Sequence, residues 1–397
     1  EIKAEDTGAV EQLLEGLGFA FGGRHRSKQV RLWQSGRARV VLNEQLARGT
    51  EPTLAAFGLQ VEDPDAVAER AALLMAPPVH RRTLAGEERL RAFVAPDGTE
   101  VYLSRGTDWV AEFEGGVPPS GESSVTGVDH VNLVQPWQHA DEAVLFYSSV
   151  FGLAPEPSQE VAGPAGLVRS QVMRSADGAV RLPLNLLPIG RPWAPQHVAF
   201  DCADALAAAR SARAADVPLL PVPDNYYDDL AARFDLDPAL LAELRELGVL
   251  YDREPGGGEF LHFYTHTVGE VFWEVCERRG GYEGYGAPNA PVRLAAQAQG
   301  ERRERLLLHR GHAAVHDLQL DALLAGAAEH RAAQHPAVPV DVLGRGVDDH
   351  VRAQLQRPGE DRGAEHVVHD HLRPGRVREL AHRSDVDQFQ HRVGRGL

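Results

Sequence analysis

Hydrophobic and polar residues alternate along Val271-Phe272-Trp273-Glu274-Val275-Cys276-Glu277-Arg278, so Val271, Trp273 and Val275 fall on one strand face and Phe272, Glu274 and Cys276 on the other. Strand patterns also surround His130, in Val128-Asp129-His130-Val131-Asn132-Leu133, and His197, in Gln196-His197-Val198-Ala199-Phe200. In chain order, the pattern predicts a short amphipathic helix over residues 8–17, stopped by Gly18. Extended segments Gln29–Trp33 and Ala38–Asn43 follow, then a strand over Leu54–Val61 and a helix from Asp65 to Leu74. Strands Leu90–Val94 and Thr99–Ser104 flank the turn Pro96-Asp97-Gly98.

After a Pro/Ser/Gly-rich linker the pattern begins again. A strand over Val128–Val134 and a helix over Asp141–Val150 precede paired strands Leu167–Ser175 and Ala179–Leu187. Then come a strand over His197–Cys202, an alanine-rich helix over Asp204–Ala215, an inserted helical stretch (Asp228–Leu247), and strands Glu259–Tyr264 and Glu270–Glu277. This is βαβββ followed by βαβββ, an internal repeat. Superposing Asp204-Ala205-Leu206 on Asp65-Ala66-Val67 places His197 over Gly58 or its neighbour. Superposing Glu270-Val271 on Glu100-Val101 places Glu274 over Ser104, and Gly152 over Gly18 puts the counterpart of His130 upstream of Glu1. The expectation is a metal-bearing second half, and a structural first half without its opening strand.

A carboxylate between Phe272 and Cys276 on an apolar face needs a partner, because burying an unpaired charge is costly. Two imidazoles and one carboxylate from three strands make the 2-His-1-carboxylate set that binds non-haem Fe(II) and leaves positions open. His130, His197 and Glu274 are therefore the candidate metal ligands.

Charge and composition narrow the picture. Residues 298–397 hold 15 Arg and 15 Asp plus Glu, so the formal net charge of −16 lies on residues 1–297 and argues against nucleic-acid or anionic-membrane partners there. Without an apolar run of membrane-spanning length or a visible signal peptide, and with only Cys202 and Cys276, the pattern predicts a soluble cytoplasmic protein. Residues 298–397 carry 11 of the 18 histidines and Phe389 as their only aromatic, a composition that predicts a disordered or misread extension. The expected organisation is a ligand-free domain (1–117), a linker (118–126), a metal-binding domain (127–297) and the tail (298–397).

With these residues in view, the chain resembles the vicinal oxygen chelate superfamily and, within it, the 4-hydroxyphenylpyruvate dioxygenases, over residues 8–297. The resemblance rests on Asp129-His130-Val131, Phe146-Tyr147 with Phe151-Gly152, Arg169-Ser170, Leu182-Pro183-Leu184-Asn185, Gln196-His197-Val198-Ala199, Tyr226-Tyr227-Asp228, Phe260-Leu261-His262-Phe263-Tyr264-Thr265 and Phe272-Trp273-Glu274. It implies an α+β fold of two tandem βαβββ half-barrel units, the first truncated. It also implies Fe(II) on His130, His197 and Glu274, with Mg, Mn or another divalent ion as alternatives. Ser170, Asn185 and Gln196 stand where the family positions its substrate, an α-keto acid that reacts with O2.

Two departures stand out. His262 replaces a family Gln, and the closing segment keeps Asn289 but has Ala290 in place of a ring-clamping Phe, which implies a wider, more polar pocket. The ending Gly280–Gln297 is similar to the dioxygenase-like half of bacterial fusion proteins whose other half is a barrel with 3-dehydroshikimate dehydratase activity. Two readings stay open: an Fe(II) dioxygenase acting on an aromatic or other α-keto acid, or a metal-binding accessory half without oxygenase turnover, acting with an upstream barrel. A small hydroxylated acid as ligand and a homo-oligomeric state are compatible with both.

Overall fold

The computed structural model describes residues 1–45, 49–117, 124–163, 166–187, 195–300 and 302. The first unit comprises β1 (Ile2–Lys3), α1 (Gly8–Gly16), β2 (Ala20–His25), β3 (Val30–Ser35), β4 (Ala38–Asn43), β5 (Thr53–Leu54), β6 (Ala56–Gln60), α2 (Pro64–Leu73), β7 (Arg91–Val94), β8 (Glu100–Ser104) and β9 (Phe113–Gly115). The second opens with β10 (Val125–Pro136), α3 (Ala140–Phe151), β11 (Ala154–Pro155), β12 (Gln159–Gly163), β13 (Gly166–Arg174) and β14 (Arg181–Leu187). It continues through β15 (Gln196–Cys202), α4 (Ala205–Ala214), α5 (Asp224–Arg233), α6 (Pro238–Leu247), β16 (Leu250–Arg253), β17 (Glu259–Tyr264) and β18 (Val271–Arg279), and α7 covers residues 290–300.

Local chemistry explains the helix boundaries. Asp63 and Asp204 accept hydrogen bonds from the first-turn N–H groups of α2 and α4, and α3 ends at Gly152 with φ 72°, where a Cβ would be strained. The inserted stretch is two helices rather than one, because Pro238 cannot continue a helix but suits the first turn of a new one, which Asp237 caps.

Both units are curved mixed sheets with one pairing scheme. In the second, the order β13-β14-β10-β15-β18-β17 alternates antiparallel and parallel neighbours about a central β10. In the first, β3-β4-β1-β5 and β6-β8-β7 show the same alternation split over two sheets. This is the α+β half-barrel architecture of the vicinal oxygen chelate fold. The opening strand of the first unit is not absent, as the repeat had implied. Its two residues Ile2 and Lys3 pair with Leu42–Asn43 and Thr53–Leu54, so that position is bridged instead of left as an unpaired edge.

Register makes the two units comparable residue by residue. His197 on β15 pairs with Phe272 on β18, and Gly58 on β6 pairs with Tyr102 on β8; two residues on, Glu274 and Ser104 occupy the same step. The units share a core, with the Phe19 and Phe200 rings 4.8 Å apart and Arg37 N–H donating to Thr126 O at 2.8 Å. Residues 118–123 of the linker lie outside the described residues, and Val125 and Thr126 already belong to β10. Residues 298–300 extend α7; the rest of the tail, apart from residue 302, also lies outside the described residues. No helix among the described residues is long and apolar enough to cross a membrane.

Candidate metal centre

β18 is buried on both faces: Phe272, Trp273, Glu274, Val275 and Cys276 are all 1% exposed or less. Removing the Phe272 and Val275 side chains from water contributes about 1.5–3 kcal/mol each, which helps to hold the carboxylate between them at a fixed depth. His130 comes from β10 and His197 from β15, the two strands on the same side of β18. His130 Nε2, His197 Nε2 and Glu274 Oε2 form a triangle with sides of 3.3, 3.4 and 3.2 Å. Ligands at right angles on an ion with bonds of about 2.1–2.2 Å lie about 3.0–3.1 Å apart, so the triangle matches one face of a coordination sphere.

The donor set fits a cation on a second count. Asp129 is the extra residue of a β-bulge between Val128 and His130, and the bulge turns Asp129 and His130 inward together. The His130 Nδ1–H donates to Asp129 Oδ1 at 2.7 Å, leaving its Nε2 lone pair for an ion. Asp129 is held in turn by Arg278, Nε to Oδ2 at 2.7 Å and Nη2 to Oδ1 at 2.8 Å. The other Glu274 oxygen accepts from His262 Nδ1–H at 2.8 Å. His262 Nε2 accepts from Asn289 Nδ2 at 3.0 Å, and Asn289 Oδ1 accepts from Tyr226 Oη at 3.0 Å. Each of the three side chains except His197 is thus tied from behind by a partner that fixes its orientation.

Electrostatics follow from this packing. Burial works to lower the His130 pKa, but the bonds to Asp129 and Glu274 outweigh it and hold it up at about 9. Burial pushes His197 down to about 4. For Glu274, burial works upward, yet its bonds to His130, His197 and His262 keep it well below the usual carboxylate range. Three inward lone-pair donors in so small a volume demand a cation, either a proton or a metal.

The triad lines a pocket. Ser170 and Asn185 line it, paired directly across β13 and β14, and Gln159 on β12 extends the row on the other side of Ser170. Asn185 donates to Asn132 Oδ1 at 3.0 Å, and Asn132 lies two residues beyond His130. Gln196, a neighbour of His197 along β15, does not line the pocket, because successive strand residues point to opposite sides. His262 and Asn289 do not line it either; both are fully buried behind Glu274, where they act on the carboxylate. Ala290 lines the pocket, whereas Tyr226 and Tyr227 are buried in the core away from it.

Several lining residues escaped the sequence reading. Gln159 lies on a strand that the pattern did not reveal. Asn132 was detectable as the same-face neighbour of His130. Arg293, Leu294 and Gln297, also missed, follow the expected Ala290 at helical spacing on one face of α7, and all four line the pocket.

Residues 127–241 match the model of the Glyoxalase/Bleomycin resistance protein/Dioxygenase superfamily, so the chain carries a domain of that superfamily. It is 39% identical to a 3-dehydroshikimate dehydratase of Pseudomonas putida over 72% of this chain and 49% of the relative. It is 27% identical to a 4-hydroxyphenylpyruvate dioxygenase of Pseudomonas aeruginosa over 73% of this chain and 89% of the relative. A solved xylose isomerase-like TIM barrel/4-hydroxyphenylpyruvate dioxygenase fusion protein superposes with a TM-score of 0.64 at 36% identity, covering 75% of this chain and 51% of that one. The chain thus spans about half the length of the dehydratase and of the fusion protein.

Proposed function

We propose that residues 127–297 form a divalent-metal-dependent catalytic domain of the dioxygenase type, using Fe(II) and O2 on a small α-keto acid, with residues 1–117 as its ligand-free partner domain. The convergence of His130 Nε2, His197 Nε2 and Glu274 Oε2 within 3.4 Å carries this reading. Bound Fe(II) would supply the redox chemistry with O2 and a charge on which vicinal substrate oxygens chelate. The protein supplies orientation. Ser170, Asn185 and Asn132 offer hydrogen bonds along one wall, while Val161, Val168 and Leu187 exclude water. His262 and Asn289 hold the Glu274 carboxylate, and Asp129 holds His130.

The test is anaerobic loading with Fe(II), followed by measurement of O2 uptake and CO2 release with 4-hydroxyphenylpyruvate and smaller α-keto acids. Metal-dependent uptake that disappears in Glu274→Ala is the expected result. Restoring the residues typical of the family, with His262→Gln and Ala290→Phe together, should raise uptake on 4-hydroxyphenylpyruvate. A second reading draws on the half-length match to the dehydratase: a metal-binding accessory half of a two-domain dehydratase. Tight metal binding without O2 uptake on any α-keto acid would favour it.

A further inference from the structure

Arg293 on α7 lines the same pocket as the triad and brings a positive charge to it. The residue is 7% exposed. Its guanidinium carbon lies 5.7 Å from the Tyr264 ring centre and 5.5 Å from that of Phe272, so aromatic faces fix its position. It donates to Gln297 Oε1 at 2.8 Å, one turn along the helix. Among the described residues no carboxylate pairs with it. Glu274, the one carboxylate among the described residues that line the pocket, is committed to His130, His197 and His262. A buried guanidinium whose one hydrogen-bond partner among the described residues is a neutral amide, in a chain of formal charge −16, is an unusual placement unless an anion completes it.

We propose that Arg293 recognises the carboxylate of the ligand, and that the ligand is a compact acid whose carboxylate stands several bonds from a pair of vicinal oxygens. This rests on the metal-chelating reading of the triad. A simple α-keto acid uses its single carboxylate on the metal and leaves Arg293 facing an uncharged end. Two kinds of molecule satisfy both ends: a dicarboxylic α-keto acid, or a ring acid with adjacent hydroxyls. Arg293 and the triad then hold two groups of one molecule, in a pocket that Ser170 and Asn185 also line.

The probes are two pairs that differ only at the remote carboxylate: 2-oxoglutarate against 2-oxobutyrate, and 3,4-dihydroxybenzoate against catechol. Binding to the Mn(II)-loaded full chain is measured calorimetrically. In one pair the acid with the remote carboxylate should bind at least tenfold tighter than its partner, and the pair that shows this identifies the ligand class. Arg293→Met should remove the preference. Arg293→Lys, which keeps a cation on the same helix face, should retain part of it and decides the matter if the Met variant is poorly folded. Equal binding within both pairs by metal-loaded wild type would overturn the assignment, as would an undiminished preference in folded Arg293→Met. Failure of wild type to take up Mn(II) or Fe(II) in a titration without organic ligand would bring down the metal reading itself, and this proposal with it.

Discussion

Gly58 and Ser104 in the first unit occupy the strand steps that His197 and Glu274 occupy in the second, in the same parallel pairing. The sheet tolerates either set. A glycine and a hydroxyl ask little of their surroundings, whereas two imidazoles and a carboxylate require Asp129, Arg278, His262 and Asn289 behind them. Ion pairs of different depth occur in the two units, although the first also buries His25 against Glu112. The second unit buries its Asp129–Arg278 pair, with side chains 3% and 12% exposed, while the Asp65–Arg91 pair of the first stands 63% and 39% exposed. The scaffold is therefore set by strand pairing and apolar burial, and chemistry is added where a few polar residues are supported from behind.

The sharpest way to break this comparison is to remove the proposed ligand and its counterpart in turn. Glu274→Ala should weaken divalent-metal binding by more than about 100-fold, beyond the effect usual for outer partners, and Ser104→Ala should leave it alone. Metal titration of both variants checks this, and tight binding by Glu274→Ala would place the site elsewhere. Next in size is Arg278→Met, which strands the buried Asp129 carboxylate. It should cost about 3–5 kcal/mol in denaturant unfolding, against less than about 1 kcal/mol for Arg91→Met in the first unit. Equal costs would show that burial of the pair is not what matters.

A smaller change tests the support behind Glu274. Asn289→Ala removes the donor to His262 Nε2 and should lower metal affinity about tenfold, read by competition with a chelating dye. The smallest effect belongs to the first unit. Burial works to raise the Glu87 pKa, but bonds from Lys28, Ser27 and the Leu84 N–H outweigh it and hold it down at about 2. Its contribution to stability is therefore present above about pH 4.5 and lost as pH falls toward 2. Wild type should exceed Glu87→Gln in stability at neutral pH, and the gap should close during acid unfolding followed by tryptophan fluorescence.

Much of the second unit was legible because its strands alternate and its helices carry their own signals. Asp204 caps α4, Gly152 ends α3, and the apolar strand faces around His130, His197 and Glu274 single them out. Short or weakly patterned strands were not legible: β2 carries two adjacent glycines and β12 only five residues, and their pairing depends on neighbours distant in sequence. The same holds for the site. Side-chain type and strand periodicity nominate three ligands from one chain. Tertiary structure alone decided that the Asp129 bulge turns two consecutive residues inward, that His262 stands behind Glu274 instead of in the pocket, and that α7 carries Arg293 over it. Periodicity is a property of the local backbone and is written in the sequence. Which polar atoms meet is decided by register shifts and helix placement, which many distant contacts set together.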